Sequence, residues 1–156
     1  MGFGYLPVEN EGNGMDQQIS RISKRMRTVL IVEDDHLFRK AMTTFLSSLG
    51  FETCGVATAE EALREASWSN VDLVLIDYYL PGMNGIELAR ALQTRHLRAR
   101  MFLMSGYLPE AVRQEAHAAS IELVLCKPHD MTSLAKALEH ALVEEERSHA
   151  HQLPMA

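Results

Sequence analysis

The feature that most constrains the fold of this chain is a fivefold alternation of short apolar runs with amphipathic segments. The run at 28–32 and the run at 71–76, which only Asp72 interrupts, are rich in β-branched residues, as in strands that are buried on both faces of a sheet. In segments such as 36–49, apolar residues recur at intervals of three and four, which indicates a helix with one buried face. Strands that alternate with helices form βαβ units, so the sequence predicts an α/β fold with a parallel sheet and helices on both faces.

The predicted elements lie within residues 28–147, and about 120 residues is the size of a single domain. Residues 1–27 show no apolar periodicity and are expected to form a flexible N-terminal leader, and residues 148–156 a flexible tail. Strands are predicted at 28–32, 51–56, 71–76, 101–104 and 121–125, and helices at 36–49, 58–66, from 86 onward, at 109–119 and at 131–147.

Charge and composition argue against several classes of function. The formal net charge of −6 (15 basic minus 21 acidic residues) disfavours broad electrostatic binding of nucleic acid. No apolar run approaches the roughly 18 residues of a membrane span, and the leader lacks the apolar core of a signal peptide, so we expect a cytoplasmic protein without a membrane partner. Cys54 and Cys126 form no paired motif, and Cys126 is expected to be buried in the last strand.

Polar and charged side chains follow four of the predicted strands, at the point where each strand ends. They are Glu33 and Asp34 after the first strand, Asp77 after the third, Ser105 after the fourth and Lys127 after the fifth. Because the carboxyl ends of parallel strands meet at one edge of a sheet, we expect these groups to share a crevice. Each of these features alone is more often part of a helix cap, a turn or the solvent-exposed surface. Their occurrence together at four strand ends favours a functional site.

The chemistry of these groups suits a divalent cation and a phosphoryl group. Asp34 and Asp77 can give oxygen ligands to Mg²⁺, which usually takes only one or two carboxylates from a protein. Asp77 is then placed as a nucleophile that can form an aspartyl phosphate. Lys127 supplies a neutralising charge and Ser105 a hydrogen bond to a phosphoryl oxygen.

The chain resembles the receiver domain of two-component response regulators, over about residues 28–147. The resemblance implies a flavodoxin-like, doubly wound parallel sheet of five strands in the order 2-1-3-4-5, with five helices in a single domain. The segments that carry it are LIVEDD (30–35), LVLIDYYLPGMNGIEL (73–88), MSG (104–106) and LCKP (125–128).

The resemblance implies a signalling phosphoacceptor and not a metabolic enzyme, with only self-catalysed phosphotransfer and dephosphorylation. Asp77 is expected to be the phosphoacceptor, Ser105 the switch hydroxyl and Lys127 the lysine of the site. The expected Mg²⁺ ligands are Glu33, Asp34, Asp77 and the backbone carbonyl of Tyr79.

The implied partners are a sensor histidine kinase or a histidine phosphotransfer protein, and a downstream protein target that the sequence does not identify. The resemblance also leaves open a homodimer through the last helices and strand. In one respect the chain departs from the family, because Val124 stands three positions before Lys127, where an aromatic residue is common. We therefore expect no aromatic switch there and only a small structural change on phosphorylation.

Three alternatives compete with this interpretation. A degenerate receiver that acts as a phosphorylation-independent scaffold is disfavoured by the complete set of site residues. A haloacid-dehalogenase-like phosphatase needs a second carboxylate two residues after the nucleophile, where this chain has Tyr79. A flavodoxin-like cofactor binder needs a Gly-rich loop after the first strand, where Glu33 and Asp34 would repel a phosphate.

Overall fold

A computed structural model of the chain describes residues 28–64, 70–95, 99–127, 131–138 and 140. The expected leader and tail lie outside the described residues, so the domain boundaries stay a prediction. No helix in these ranges combines the length and the apolar character needed to span a bilayer. The elements are β1 (Thr28–Val32), α1 (His36–Ser48), β2 (Glu52–Val56), α2 (Ala59–Arg64), β3 (Leu73–Asp77), α3 (Gly85–Gln93), β4 (Arg100–Ser105), α4 (Glu110–Ala118), β5 (Leu123–Cys126) and α5, helical over 131–138.

The five strands form one sheet in the order β2-β1-β3-β4-β5, and every neighbouring pair is parallel. This confirms the predicted fold class, the strand order and the five helices. Strand order reverses between β1 and β3, and in open parallel sheets a crevice forms at the carboxyl ends of the strands beside such a reversal. The ends of β1 and β3 therefore flank the expected position of a functional site.

Two apolar clusters, one on each face of the sheet, form the core. Successive residues of a strand point to opposite faces, so the continuous apolar runs of β1 and β3 are needed to fill both clusters. Helices α2, α3 and α4 cover one face, and α1 and α5 cover the other. The first face takes Leu30, Val32, Val74 and Ile76 from β1 and β3, and the second takes Val29, Ile31, Leu73 and Leu75.

Several strand boundaries differ from the predicted ones. The backbone hydrogen bonds between neighbouring strands set these boundaries, and hydrophobicity alone does not reveal them. Residues 71–72 precede β3, and the Asp72 side chain accepts a hydrogen bond from the Thr28 N–H at 2.9 Å. At the other end the ladder includes Asp77, which stands opposite Met104. The prediction that Cys126 is buried is wrong, because β5 is an edge strand and Cys126 is exposed at its end.

Side-chain caps fix the starts of α1, α2 and α3. At the start of α2 the hydroxyl of Thr58 accepts from the N–H of Glu61 at 3.1 Å, which is half of a capping box, but the Glu61 carboxylate accepts from the N–H of Ala57 rather than from that of Thr58. A complete capping box opens α3, where Asn84 and Glu87 exchange hydrogen bonds. The sequence predicts this helix only from residue 86 onward and does not identify the Asn84 cap.

The turn that joins β3 to α3 depends on Gly85. Its N–H donates to the carbonyl of Tyr78 at 2.9 Å, and a Cβ atom built on it would lie 2.5 Å from the backbone oxygen of Asp77 and 2.8 Å from Cδ1 of Leu103. Since real Cβ atoms essentially never approach other atoms so closely, only glycine fits between α3 and the end of β3.

Replacing Gly85 by alanine is therefore expected to lower the free energy of unfolding by about 1–3 kcal/mol, because the backbone must move to relieve the overlap. Urea denaturation of the full chain measures the change. The matched control is Gly106→Ala, since a Cβ on Gly106 meets nothing within 4 Å. Equal stability of the two variants would contradict the steric argument.

Candidate functional site

The structure brings the predicted residues together at the carboxyl edge of the sheet. Glu33 follows β1, Asp77 ends β3 and Ser105 ends β4; these three are the buried polar or charged residues of the described chain, at 0%, 2% and 1% exposure. Lys127 follows β5, and its side chain reaches across the edge of the sheet to β3 and β1. Polar groups are buried this deeply only where partners compensate them.

The ammonium group of Lys127 is the centre of the site. Its Nζ lies 2.8 Å from Oε2 of Glu33 and 3.2 Å from Oδ2 of Asp77. It also lies 5.0 Å from the ring centroid of Phe38, which is a cation–π distance. The Lys127 backbone N–H donates to the Ser105 carbonyl at 2.8 Å, so the lysine is tied to β4 as well. The helical apolar pattern of 36–49 does not predict this contact of Phe38.

Glu33 is held at both carboxylate oxygens. Oε1 accepts from the backbone N–H of Asp35 at 3.1 Å, and Oε2 faces the Lys127 ammonium. The Glu33 N–H donates to the carbonyl of Val56 at 3.1 Å, which ties its backbone to β2. Glu33 is thus oriented by neighbours on both sides.

Three carboxylates converge beside this lysine. Glu33, Asp34 and Asp77 each offer an oxygen, and these oxygens lie within 4.8 Å of one another. Three negative charges against one ammonium leave a local charge of −2, and an all-oxygen donor set is what Mg²⁺ prefers. The residues present therefore fit a hard divalent cation.

Tyr79 lies directly beside this cluster. Its N–H donates to Oδ1 of Asp77 at 3.4 Å, which brings its backbone next to the expected phosphoacceptor. The role of the Tyr79 carbonyl as a metal ligand stays a prediction. The rings of Tyr79 and Tyr107 are largely exposed, at 60% and 72%.

Burial and charge shift the pKa values of the site residues. Burial raises the pKa of Glu33 and of Asp77, and although the Lys127 ammonium opposes this rise for both groups, it does not cancel it. For Lys127, burial alone would lower the pKa, but the hydrogen bond to Glu33 and the charge of Asp77 outweigh burial and raise it. The ionised forms of Glu33 and Asp77 are thus less favoured in this site than in water, mainly because the site is buried.

Ser105 is at the site, but its hydroxyl points into its own loop. Oγ donates to the carbonyl of Tyr107 at 2.9 Å. The expected switch hydroxyl is therefore engaged with the β4–α4 loop in this state, and its role as a switch stays a prediction.

Comparison with protein families gives a match to the response regulator receiver domain over residues 29–139. The chain is 32% identical over 115 residues to a cyclic di-GMP phosphodiesterase of Thermotoga maritima, covering 74% of this chain and 31% of that protein. It is 27% identical over 114 residues to sporulation initiation phosphotransferase F of Bacillus subtilis, covering 73% of this chain and 92% of that protein. The chain thus spans less than a third of the phosphodiesterase.

Solved structures give the same result. The chemotaxis protein CheY4 of Vibrio cholerae has a TM-score of 0.68 at 26% identity, covering 74% of this chain and 98% of that one. CheY of Borrelia burgdorferi, solved in a complex with CheX, BeF₃ and Mg²⁺, has a TM-score of 0.66 at 25% identity, covering 72% of this chain and 86% of that one.

The raised pKa values predict how stability depends on pH. A carboxyl group with a raised pKa binds more protons in the folded state than in the unfolded chain, so the free energy of unfolding falls as pH rises through that window. The fall is expected to begin near the ordinary values, 4.5 for Glu33 and 3.8 for Asp77, and to level off above the raised ones. Urea denaturation at a series of pH values, in EDTA, measures it.

In the same assay Asp77→Asn is expected to be more stable than the parent at neutral pH and to show a shallower slope, because it removes one buried carboxylate and leaves the Lys127 ammonium paired with Glu33 alone. Asp35→Asn is the matched control. The hydrogen bond from the N–H of Phe38 lowers the pKa of Asp35, so the stability that the Asp35 carboxylate contributes is lost as pH falls. This pH dependence has the opposite sign to that expected from Asp77. An Asp77→Asn slope identical to that of the parent would contradict the assignment.

Proposed function

This chain belongs to the family of response regulator receiver domains, and we propose that it accepts a phosphoryl group on Asp77 in a Mg²⁺-dependent reaction. Receiver domains act as signalling phosphoacceptors and interact with histidine kinases and phosphotransferases. The observation that carries the proposal is the buried Asp77 carboxylate at the end of β3, with the Lys127 ammonium 3.2 Å from Oδ2.

The proposed reaction uses Asp77 as nucleophile. A carboxylate oxygen of Asp77 forms a bond to phosphorus while the phosphorus–nitrogen bond of a phosphohistidine donor breaks, and the electron pair returns to the imidazole nitrogen. Lys127 stands where negative charge builds on the transferred group, and a fixed ammonium stabilises such charge strongly in a site that is partly shielded from water. The chain supplies orientation and charge, so the chemistry is self-catalysed and the protein is no metabolic enzyme.

Asp34 and Asp77 are the proposed carboxylate ligands of Mg²⁺, together with the backbone carbonyl of Tyr79. Glu33 is the third proposed carboxylate ligand: Oε1 accepts one hydrogen bond and Oε2 faces the Lys127 ammonium, and each oxygen keeps a second lone pair for a cation. When bound, the ion neutralises charge on the carboxylates and on the phosphoryl oxygens.

Ser105 completes the proposed cycle. Its hydroxyl can reach a phosphoryl oxygen only by giving up the hydrogen bond to the Tyr107 carbonyl. Phosphorylation would thereby be felt in the β4–α4 loop, and the changed surface would bind a downstream protein target.

The proposal also includes the phosphodonor, the cellular location and the domain boundaries of the chain. The phosphodonor is a sensor histidine kinase or a histidine phosphotransfer protein in the cytoplasm. Residues 28–147 form the receiver domain between the leader 1–27 and the tail 148–156, and a homodimer would use the last helices and β5.

Incubation with acetyl phosphate and Mg²⁺ is expected to add one phosphoryl group to the full chain, as measured by intact mass. Asp77→Asn is expected to lose the adduct, because it removes the nucleophile. EDTA is expected to suppress it in the parent. Asp35→Asn is the matched control, since Asp35 is an exposed carboxylate two residues from Glu33 that only caps α1.

Two outcomes would contradict the proposal. A phosphoryl adduct that persists in Asp77→Asn would place the acceptor elsewhere. A parent that stays unmodified by acetyl phosphate and by a histidine phosphotransfer protein would favour the alternative, a receiver that acts as a phosphorylation-independent scaffold.

Val124 generates a second expectation. It is half-buried against the cluster beneath α2, α3 and α4, where a small aliphatic side chain has no ring to rotate. On addition of BeF₃ and Mg²⁺, we expect large amide shifts around Asp77 and Ser105 but small ones in 121–127 and 131–137. Large NMR shifts in those two ranges would show that an aromatic residue at position 124 is dispensable for the switch.

A further inference from the structure

Arg39, on α1, contacts the backbone of the loop that carries the acidic pair. Its Nη1 donates to the carbonyl of Glu33 at 2.6 Å and reaches the carbonyl of Asp34 at 3.4 Å. Its own backbone N–H donates to the carbonyl of Asp35 at 2.9 Å. One side chain therefore holds two consecutive peptide groups of the β1–α1 loop, and the first of these contacts is short and charge-assisted.

The path of this side chain is set by Gly55 on β2. A Cβ atom on Gly55 would lie 3.1 Å from Cγ and 3.2 Å from Cδ of Arg39, and 3.1 Å from Cγ2 of Thr43. The aliphatic part of Arg39 therefore runs across the face of β2 through space that a side chain at position 55 would narrow.

Among the described residues, the Arg39 guanidinium donates to carbonyl oxygens and not to carboxylates. Within the described ranges no carboxylate lies within ion-pair distance of Arg39, although three carboxylates lie close to the loop that it holds. Its hydrogen bonds go to carbonyl oxygens. This arrangement fixes backbone position without neutralising the charge of the acidic cluster.

We propose that Arg39 is a positioning residue for the cation site, which holds the Glu33–Asp34 peptide so that Asp34 faces Asp77. The inference rests on the proposed function, because it concerns the same Mg²⁺ site. Asp34 is exposed, and among the described residues no side-chain hydrogen bond orients its carboxylate. The backbone on which it stands must therefore supply its orientation. Groups that orient metal ligands in this way typically change metal affinity about tenfold or more when removed.

The test is Mg²⁺ affinity, measured on the full chain by NMR titration of amide shifts. Arg39→Met keeps most of the aliphatic stem and removes the guanidinium, and it is expected to weaken Mg²⁺ binding about tenfold. Electrostatics alone predicts the opposite sign, because removing a positive charge near a divalent-cation site tightens binding. The direction of the change thus separates positioning from charge.

Lys40→Met is the matched control, since it removes the same charge from the next residue of α1, which is exposed. It is expected to leave Mg²⁺ affinity unchanged or slightly higher. Arg39→Lys restores the charge and one donor, and it is expected to bind Mg²⁺ with intermediate affinity. Gly55→Ala displaces the stem of Arg39 without changing any charge and is expected to weaken binding as well.

Urea denaturation of each variant confirms that it is folded before titration. If Arg39→Met does not fold, the Mg²⁺ affinities of Arg39→Lys and Gly55→Ala are compared with that of the parent instead. A parent that binds Mg²⁺ while Arg39→Met binds it equally or more tightly overturns the inference alone. A parent that does not bind Mg²⁺ overturns the proposed function and this inference with it.

Discussion

The ion pairs of Lys127 with Glu33 and Asp77 are the interaction on which the rest of the site depends. These ion pairs join the ends of β1, β3 and β5 across the sheet. The backbone N–H of Lys127 also donates a hydrogen bond to the carbonyl of Ser105, which connects the lysine to β4. One ammonium cannot compensate three carboxylates, and burial raises the pKa of both Glu33 and Asp77. A divalent cation bound to these carboxylates would relieve the negative charge that the single ammonium leaves.

The residues of this centre could be predicted from the sequence because topology leaves little choice. Short apolar runs rich in β-branched residues favour strands buried on both faces, and alternation with helices favours a parallel arrangement. Once the strands are parallel, polar residues at their carboxyl ends meet at one edge whatever the details of packing. That is why Glu33, Asp77 and Lys127 were predicted together, although strand boundaries shifted by one or two residues.

The contacts of Arg39, Phe38 and Gly85 depend on distances between elements, which the spacing of apolar residues along the sequence does not predict. The reach of Arg39 to the Glu33 carbonyl needs the angle of α1 to the sheet and the open space at Gly55. The contact of Lys127 with the Phe38 ring depends on how α1 is rotated about its axis. From the sequence alone, an aromatic residue on the apolar face of a helix is equally consistent with a place in the core. The close approach of Gly85 to the Asp77 carbonyl likewise appears only when β3 and α3 are placed in space.

The hydrogen bonds of the present state indicate where a phosphoryl group on Asp77 would act first. Both oxygens of Glu33 and the hydroxyl of Ser105 are engaged, while Oδ1 of Asp77 meets only a long 3.4 Å contact from the Tyr79 N–H. Capture of a phosphoryl oxygen by Ser105 would release the Tyr107 carbonyl. Because β5 carries Val124 rather than an aromatic side chain, the proposed signal would leave the site through the loop after β4, which carries the exposed Tyr107 ring.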